Sequence, residues 1–404
     1  MKYKYNIGID ARFILRQLRG IPLYVARLCE FIPELRRDCL FTLFINKGYE
    51  HNDQQKNYAI RIERIQDKNS NILFVNHDDD AEIFWEQVWL PKLAKQHHVD
   101  ILHLPANRAC FSASMPTVVT VHDTMECMYL AKRFLAGLRS TPYYFRLNFY
   151  QMRIAFYVWA IYRVGIKRAQ RVISVSHFSA NDIVKQLHIA PNKLSVIYHG
   201  LDDDFRCKSI RGQPLSTAER LGSEGYVLML GGDSCQKNPQ GAIAAWAKVP
   251  VEMRKKYRLR IIGFCGNGQS PLLKALKAHD LTNEVEIQGW VSDEELIFQF
   301  QNATLFLYLS RYEGFGFPPL HAMACGTPVV ATDSSSIPEI LGPVGLKFAP
   351  DDYCGIAKGI EQLLTDEIFY QKQVALGVER AEQFSWRKSA ELHLETYKKI
   401  LPGL

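Results

Sequence analysis

At 404 residues the chain exceeds what one ordinary core holds, and two domains of about 200 residues are expected. A composition of 47% hydrophobic and 23% charged residues excludes a disordered or low-complexity protein, and no run of about 18 apolar residues is present to span a bilayer. The net charge of +7 is a mild excess whose distribution matters more than its sum.

The first ten residues read as the start of a strand rather than a signal peptide. Nine cysteines stand singly with no C-x-x-C pair, which favours reduced thiols and a cytosolic setting over a disulfide frame or a metal site. Short β-branched runs then recur with room for a helix between them. In the first half they are Asn6–Asp10, Phe41–Ile45, Ile72–Val75, Ile101–Leu104, Thr117–Val121, Val172–Val175 and Leu194–Tyr198. In the second half they are Tyr226–Leu230, Leu259–Ile262, Val285–Gln288, Ala303–Leu309 and Pro328–Ala331. Runs that are apolar throughout suit strands covered on both faces, so two doubly wound parallel α/β domains facing a cleft are predicted. Ligands of such sheets bind outside the carboxyl ends of the strands.

Asp78-Asp79-Asp80 has the D-x-D spacing of a metal–diphosphate site but reads better as a polar loop. Between Glu126 and Asp182 no acidic residue occurs. That stretch interleaves Lys132, Arg133, Arg139, Arg146, Arg153, Arg163, Lys167, Arg168 and Arg171 with Phe134, Tyr143, Tyr144, Phe145, Phe149, Tyr150, Phe156, Tyr157, Trp159 and Tyr162. Its spacing from Tyr143 onward fits a helix. Cations beside aromatic rings suit the headgroup region of an anionic membrane, which points to residues 130–171 as a membrane-facing surface. A core helix with a basic solvent face is the plainer alternative. Nucleic acid is not expected, because no motif for it accompanies the patch.

A polar, glycine-bearing stretch around 202–224 marks the domain boundary, and Asp202-Asp203-Asp204 reads as a solvated turn. The expected division is 1–205 with 386–404 packing back on it, and 206–385. The densest chemistry follows the strand Ala303–Leu309: Glu313, then a loop with Gly314 and Gly316, then Pro318 and Pro319 where a helix should begin, and Gly326 where it should end. The start of such a helix favours phosphate, and the glycines permit close backbone approach. Glu313 would accept hydrogen bonds from sugar hydroxyls; an ordinary strand–loop–helix turn with a solvated glutamate is the alternative. The last helix is predicted from Ser385 to Leu401, with Leu392, Tyr397 and Ile400 on its apolar side.

The segment E-G-F-G-x-P-x-L-x-A-M-A-C-G-T-P-V-V-A from Glu313 resembles the donor-site signature of GT-B glycosyltransferases of family 4, also called group 1. The resemblance extends to Ile7–Arg12, Val121-His122-Asp123, Ser174–Ser179, Val196–Asp202, Gly231–Asn238, Gln288–Leu296 and Phe384-Ser385-Trp386, nearly the whole chain. It is most similar to bacterial mannosyl- and rhamnosyltransferases of surface polysaccharide assembly. The resemblance implies a GT-B fold of two Rossmann-like domains, the C-terminal one binding the nucleotide sugar, with the last helix crossing back to the first domain. It implies a retaining, metal-independent transferase that needs no cofactor and takes a nucleotide diphosphate sugar, GDP-mannose first, as substrate. The acceptor would be a polysaccharide or lipid-linked glycan at the cytoplasmic face of the cell membrane, where the enzyme would be peripheral. It assigns catalytic positions to His122, Asp123 and Glu313, and donor contacts to Gly20, Lys237, Gly314, Phe315, Gly316, Phe317 and His321.

Four departures from the family pattern bear on the donor. His321 stands where a ribose-binding glutamate is usual, which would make that contact pH-dependent. Pro22 replaces the second glycine of the early loop and removes an N–H. An arginine near Gly232 is absent, and Gln236 stands in place of another. A non-catalytic subunit with an impaired donor site is therefore one rival reading, and a sugar-nucleotide epimerase is another.

Overall fold

A computed structural model describes residues 3–16, 19–46, 55–78, 81–127, 149–206, 217–222, 224–232, 234–264, 266 and 270–404. Asp79, Asp80, Lys132, Arg133, Phe134, Arg139, Tyr143, Tyr144, Phe145 and Arg146 lie outside the described residues. The chain divides into two compact units, Met1–Gly200 with Trp386–Leu404, and Leu201–Ser385.

The first unit holds β1 (Asn6–Asp10), β2 (Leu40–Asn46), β3 (Ile72–His77), β4 (Ile101–Leu104), β5 (Thr117–Val121), β6 (Arg171–Ser174) and β7 (Leu194–Val196). They form one sheet in the order β3-β2-β1-β4-β5-β6-β7. All its pairings are parallel, with Ile7 beside Phe41 on one side and Ile101 on the other. Parallel pairing requires a crossover between successive strands, and helices on both faces account for side chains buried along the whole of β4 and β5.

The second unit holds β8 (Gly225–Leu230), β9 (Tyr257–Ile262), β10 (Val285–Gln288), β11 (Leu305–Tyr308), β12 (Val329–Thr332) and β13 (Leu346–Phe348) in the parallel order β10-β9-β8-β11-β12-β13. Val227 lies between Leu259 and Leu305, and Trp246, Ile360 and Tyr370 pack over this centre. Every strand but β13 coincides with an apolar run of the sequence; β13 has only three residues and follows the left-handed Gly345.

The final helix, Trp386–Lys398, belongs to the first unit and packs on the helix Ile21–Leu35. Gly200 makes room for it, since a Cβ there would lie 2.2 Å from the Trp386 nitrogen. Polar side chains then tie it down: His393 Nε2 and the Tyr24 hydroxyl are 2.8 Å apart, and His103 Nδ1 and the Tyr397 hydroxyl 2.7 Å. Its inner face is thus more polar than expected. Ser389, His393 and Thr396 are buried on it, whereas Leu392, predicted on the apolar side, is exposed.

Candidate functional site

In the second unit the chain runs outward from β8 through β9 to β10, then returns to the other side of β8 to lay down β11. The point between β8 and β11 is where a doubly wound sheet opens to a ligand at its carboxyl edge. The loop after β8 brings Lys237 there, and the loop after β11 brings Glu313. The Lys237 ammonium is 2.6 Å from Glu313 Oε1.

Each partner is held by its own local structure. Lys237 ends the 3-10 turn Cys235–Lys237, and its stem crosses Gly231, whose φ of 138° and missing side chain leave the space it occupies. Asn238 follows in the left-handed region and caps the helix Pro239–Trp246, its Oδ1 accepting from Gly241 N–H at 3.2 Å. Glu313 is clamped from the serines after β12. Its N–H donates to Ser335 Oγ at 3.0 Å, and Ser336 Oγ donates to the carbonyls of Glu313 at 3.0 Å and Phe315 at 2.7 Å.

The Glu313 carboxylate is used asymmetrically. Oε1 accepts from Lys237 Nζ at 2.6 Å, the Tyr308 hydroxyl at 2.8 Å and Ser310 Oγ at 2.5 Å. Oε2 takes no hydrogen bond among the described residues. The side chains of Glu313 and Lys237 are 12% and 24% exposed, so the pair is accessible from one side. Lys237 and Glu313 stand out in the sequence, whereas Tyr308, Ser310, Ser335 and Ser336 do not. Tyr308 reads as one more apolar residue of its strand, and the serines carry no motif.

Beyond Glu313, Gly316 (φ 107°) caps the helix Phe317–Ala324. Pro318 and Pro319 fit its first turn but carry no N–H, so of its first three positions only Phe317 can donate. Gly314 and Phe315 lie in the connecting loop, with Phe315 edge-on to Phe317 at 5.2 Å. His321 is one turn further on and only 8% exposed; its ring is covered by Phe205, and its Nε2 is buried without a hydrogen-bond partner. Burial pushes this imidazole down to about 4, partly opposed by Asp202. Its charge is therefore constant around neutral pH, which corrects the expectation of a pH-dependent contact there.

His122, Asp123 and Gly20 belong to the first unit. His122 follows β5, with its N–H on Asn107 Oδ1 at 2.6 Å and its Nε2–H donating to the Pro105 carbonyl at 2.8 Å. Burial pushes its imidazole down to about 4, so it is neutral with Nδ1 as the acceptor nitrogen. Its ring stacks on His199 at 5.4 Å and meets the edge of Tyr24 at 5.0 Å. Asp123 Oδ1 accepts from Met125 N–H at 2.9 Å. Gly20, with φ 60°, precedes the helix Ile21–Leu35, and Pro22 sits in that helix's first turn, where proline is tolerated. Tyr24 links the two places, since its N–H donates to the Gly20 carbonyl at 3.1 Å. The equivalent chain reversal of this unit, between β1 and β4, is filled by a buried ionic cluster in which Arg12 joins Asp10 and Glu86, and Arg108 also reaches Glu86.

The family profile for glycosyl transferases group 1 matches residues 218–380, and that for glycosyltransferase family 4 matches residues 20–205. Among characterised proteins, O-antigen chain mannosyltransferase B of Escherichia coli is 31% identical over 235 residues, covering 58% of this chain and 62% of its own length. The matched region thus spans less than two thirds of that relative. In overall structure the chain is similar to sucrose-phosphate synthase from Thermosynechococcus elongatus, with a TM-score of 0.69, 16% identity and coverage of 99% and 100% of the two chains. It is also similar to HepE of Anabaena in complex with UDP and glucose, with a TM-score of 0.65, 17% identity and coverage of 98% and 99%. At such identities the two structures speak for the GT-B fold alone.

Proposed function

The chain belongs to the family 4, group 1 glycosyltransferases, and on that premise we propose that it moves a hexose, mannose first, from a nucleoside diphosphate sugar to a glycan acceptor. The observation that carries this reading is the Lys237–Glu313 pair at the strand-order reversal of the second unit. An ammonium there offsets the charge that builds on a departing diphosphate, and a carboxylate with one unengaged oxygen accepts hydrogen bonds from sugar hydroxyls. The similarity to a mannosyltransferase supports the choice of hexose.

The donor lies along the carboxyl edge of the second sheet. Its phosphates meet Lys237 and the loop Gly314–Phe317, and its sugar meets Glu313 Oε2. His321, whose Nε2 is buried without a hydrogen-bond partner beneath the Phe205 ring, is assigned to the ribose. For the first unit the family resemblance is the support: His122, neutral and held through Nε2, and Asp123 are assigned catalytic roles, and Gly20 a donor contact. The bond from the anomeric carbon to the leaving phosphate breaks. The acceptor hydroxyl oxygen bonds that carbon on the same face, and its proton passes to the departing phosphate oxygen. Configuration is retained without a divalent metal.

The acceptor is a polysaccharide or lipid-linked glycan, reached from the membrane surface. On the helix Phe149–Ala160, Phe156 and Trp159 are 68% and 47% exposed and stack at 5.6 Å, with Arg153, Lys167 and Arg168 exposed nearby in sequence. Among the described residues no helix is long and apolar enough to cross a membrane. Vesicle flotation tests this surface: binding to anionic vesicles, lost on replacing Phe156 and Trp159 by serine, is expected, and equal failure to float with and without anionic lipid refutes it.

The decisive experiment for the activity is a thermal-shift screen of GDP, UDP and TDP sugars, followed by turnover with the best binder. GDP-mannose is expected to stabilise most and to be consumed. Stabilisation by none of them would favour a non-catalytic protein.

A further inference from the structure

Lys237 and Glu313 both sit on loops, yet they meet at 2.6 Å. The group that ties both to the sheet is Tyr308, the last residue of β11. Its hydroxyl donates to Glu313 Oε1 at 2.8 Å and accepts from Lys237 Nζ, also at 2.8 Å. Its ring is fully buried and stacks on Phe306 at 5.5 Å, so sheet packing rather than a loop fixes its position.

We propose that Tyr308 is a positioning residue for the donor reaction: it gathers Lys237 and Glu313 Oε1 onto one phenol oxygen and thereby turns Glu313 Oε2 toward the donor sugar. This rests on the donor-site reading above. Three donors on Oε1 lock the carboxylate rotamer, and a reacting group held by groups that are themselves locked loses little order when the substrate binds. Burial and the neighbouring Glu313 push the phenol well above its ordinary range, which keeps it a hydrogen-bond donor at every working pH. Ser310 supplies the remaining donor, from the loop after β11.

The test is Tyr308→Phe in the full chain, with GDP as the binding probe and GDP-mannose turnover as the kinetic one. The expected result is a fall in kcat of about tenfold or more with GDP affinity kept within about threefold, because Lys237 stays while the carboxylate loses its orientation. In a cycle with Glu313→Gln, the double variant should be no slower than Glu313→Gln alone, since Tyr308 acts on sugar through that carboxylate. A kcat unchanged in Tyr308→Phe, or fully additive losses in the cycle, overturns the proposal. Should phenylalanine at 308 lower the yield of folded protein, Ser310→Ala withdraws a donor from the same oxygen by removing a single buried hydroxyl and leaves the Tyr308 ring in place. The same split between kcat and GDP affinity is then expected, and an unchanged kcat refutes the oriented-carboxylate argument. Wild-type protein that binds no nucleoside diphosphate and turns over no nucleotide sugar overturns the donor-site reading itself. Normal wild-type turnover with an indifferent Tyr308→Phe overturns only the positioning role.

Discussion

The imidazole of His321 lies nearly flat on the ring of Phe205, with centroids 3.7 Å apart and planes 10° from parallel. The 3-10 turn Asp203–Phe205 is thereby pinned to the helix Phe317–Ala324, and Cys325 Sγ adds a contact to the Phe205 carbonyl at 3.2 Å. Such a stack contributes about 1 kcal/mol beyond the area it buries. His321→Ala should therefore destabilise the protein by roughly 1–3 kcal/mol in urea titrations at neutral pH.

The same residue makes stability pH-dependent in a definite direction. Its folded value near 4 lies below the ordinary 6.5, so the unfolded chain binds the proton more tightly. The contribution is complete above about pH 6.5 and is lost as pH falls toward 4. His321→Phe keeps a flat ring and has no proton to bind. Its stability relative to the wild type should rise by about 2 kcal/mol between neutral pH and roughly pH 5. A constant difference across that range would show that the imidazole titrates normally.

In the first unit four histidines share this sign. His122 and His393 are pushed down to about 4 by burial, and His103 and His199 well below the ordinary value. They surround Tyr24, Thr120 and Tyr397, with Trp386 against His199. Calorimetry from pH 7 to 5 should show the melting transition of this unit falling faster than that of the second unit, where His321 is buried and His279 exposed. Parallel decline of both would contradict the assignment.

Glu313 neutralises Lys237, and a bound diphosphate would compete with it for that ammonium. Replacing Glu313 by Gln frees Lys237 and removes a negative charge beside the phosphates, so GDP binding should hold or tighten by up to about tenfold while sugar transfer falls about a hundredfold. Lys237→Met should do the opposite to binding, weakening GDP by roughly 10- to 100-fold as a charge-assisted contact is lost. Isothermal titration with GDP separates the two, and equal effects of both substitutions on GDP would count against the division of labour.

Much of this was legible in the chain because its chemistry is local. Buried parallel strands announce themselves as apolar runs, as Thr117–Val121 does, whereas the three residues of β13 are too few to form one. Lys237 and Glu313 stand out by residue type beside glycine and proline punctuation. Tyr308 does not, because only the strand register decides whether its hydroxyl meets the core or the carboxyl edge. Ser335 and Ser336 matter only because β12 pairs with β11, a fact of topology, with Phe306 opposite Val329. The burial of His321 depends on Phe205, a residue remote in sequence. Pairing between distant segments is what residue types in order do not encode.

Gly231 offers a test of how Lys237 is aimed that leaves the lysine itself intact. A Cβ at Gly231 would lie 2.6 Å from Lys237 Cγ and 2.7 Å from Cβ, and φ there is 138°, a conformation open to glycine and strained for alanine. Gly231→Ala must therefore either move the lysine stem or shift the end of β8, whose neighbour Gly231 N–H donates to the Ile262 carbonyl at 3.1 Å. The stem is the softer element, because it lies on a loop and its ammonium is partly exposed. The expected outcome is a loss of GDP affinity of about tenfold or more with a stability cost of roughly 1–3 kcal/mol from the backbone. Unaltered GDP affinity in a folded Gly231→Ala protein would mean that the ammonium reaches the phosphates from more than one stem conformation, and that the contact across Gly231 does not set its direction.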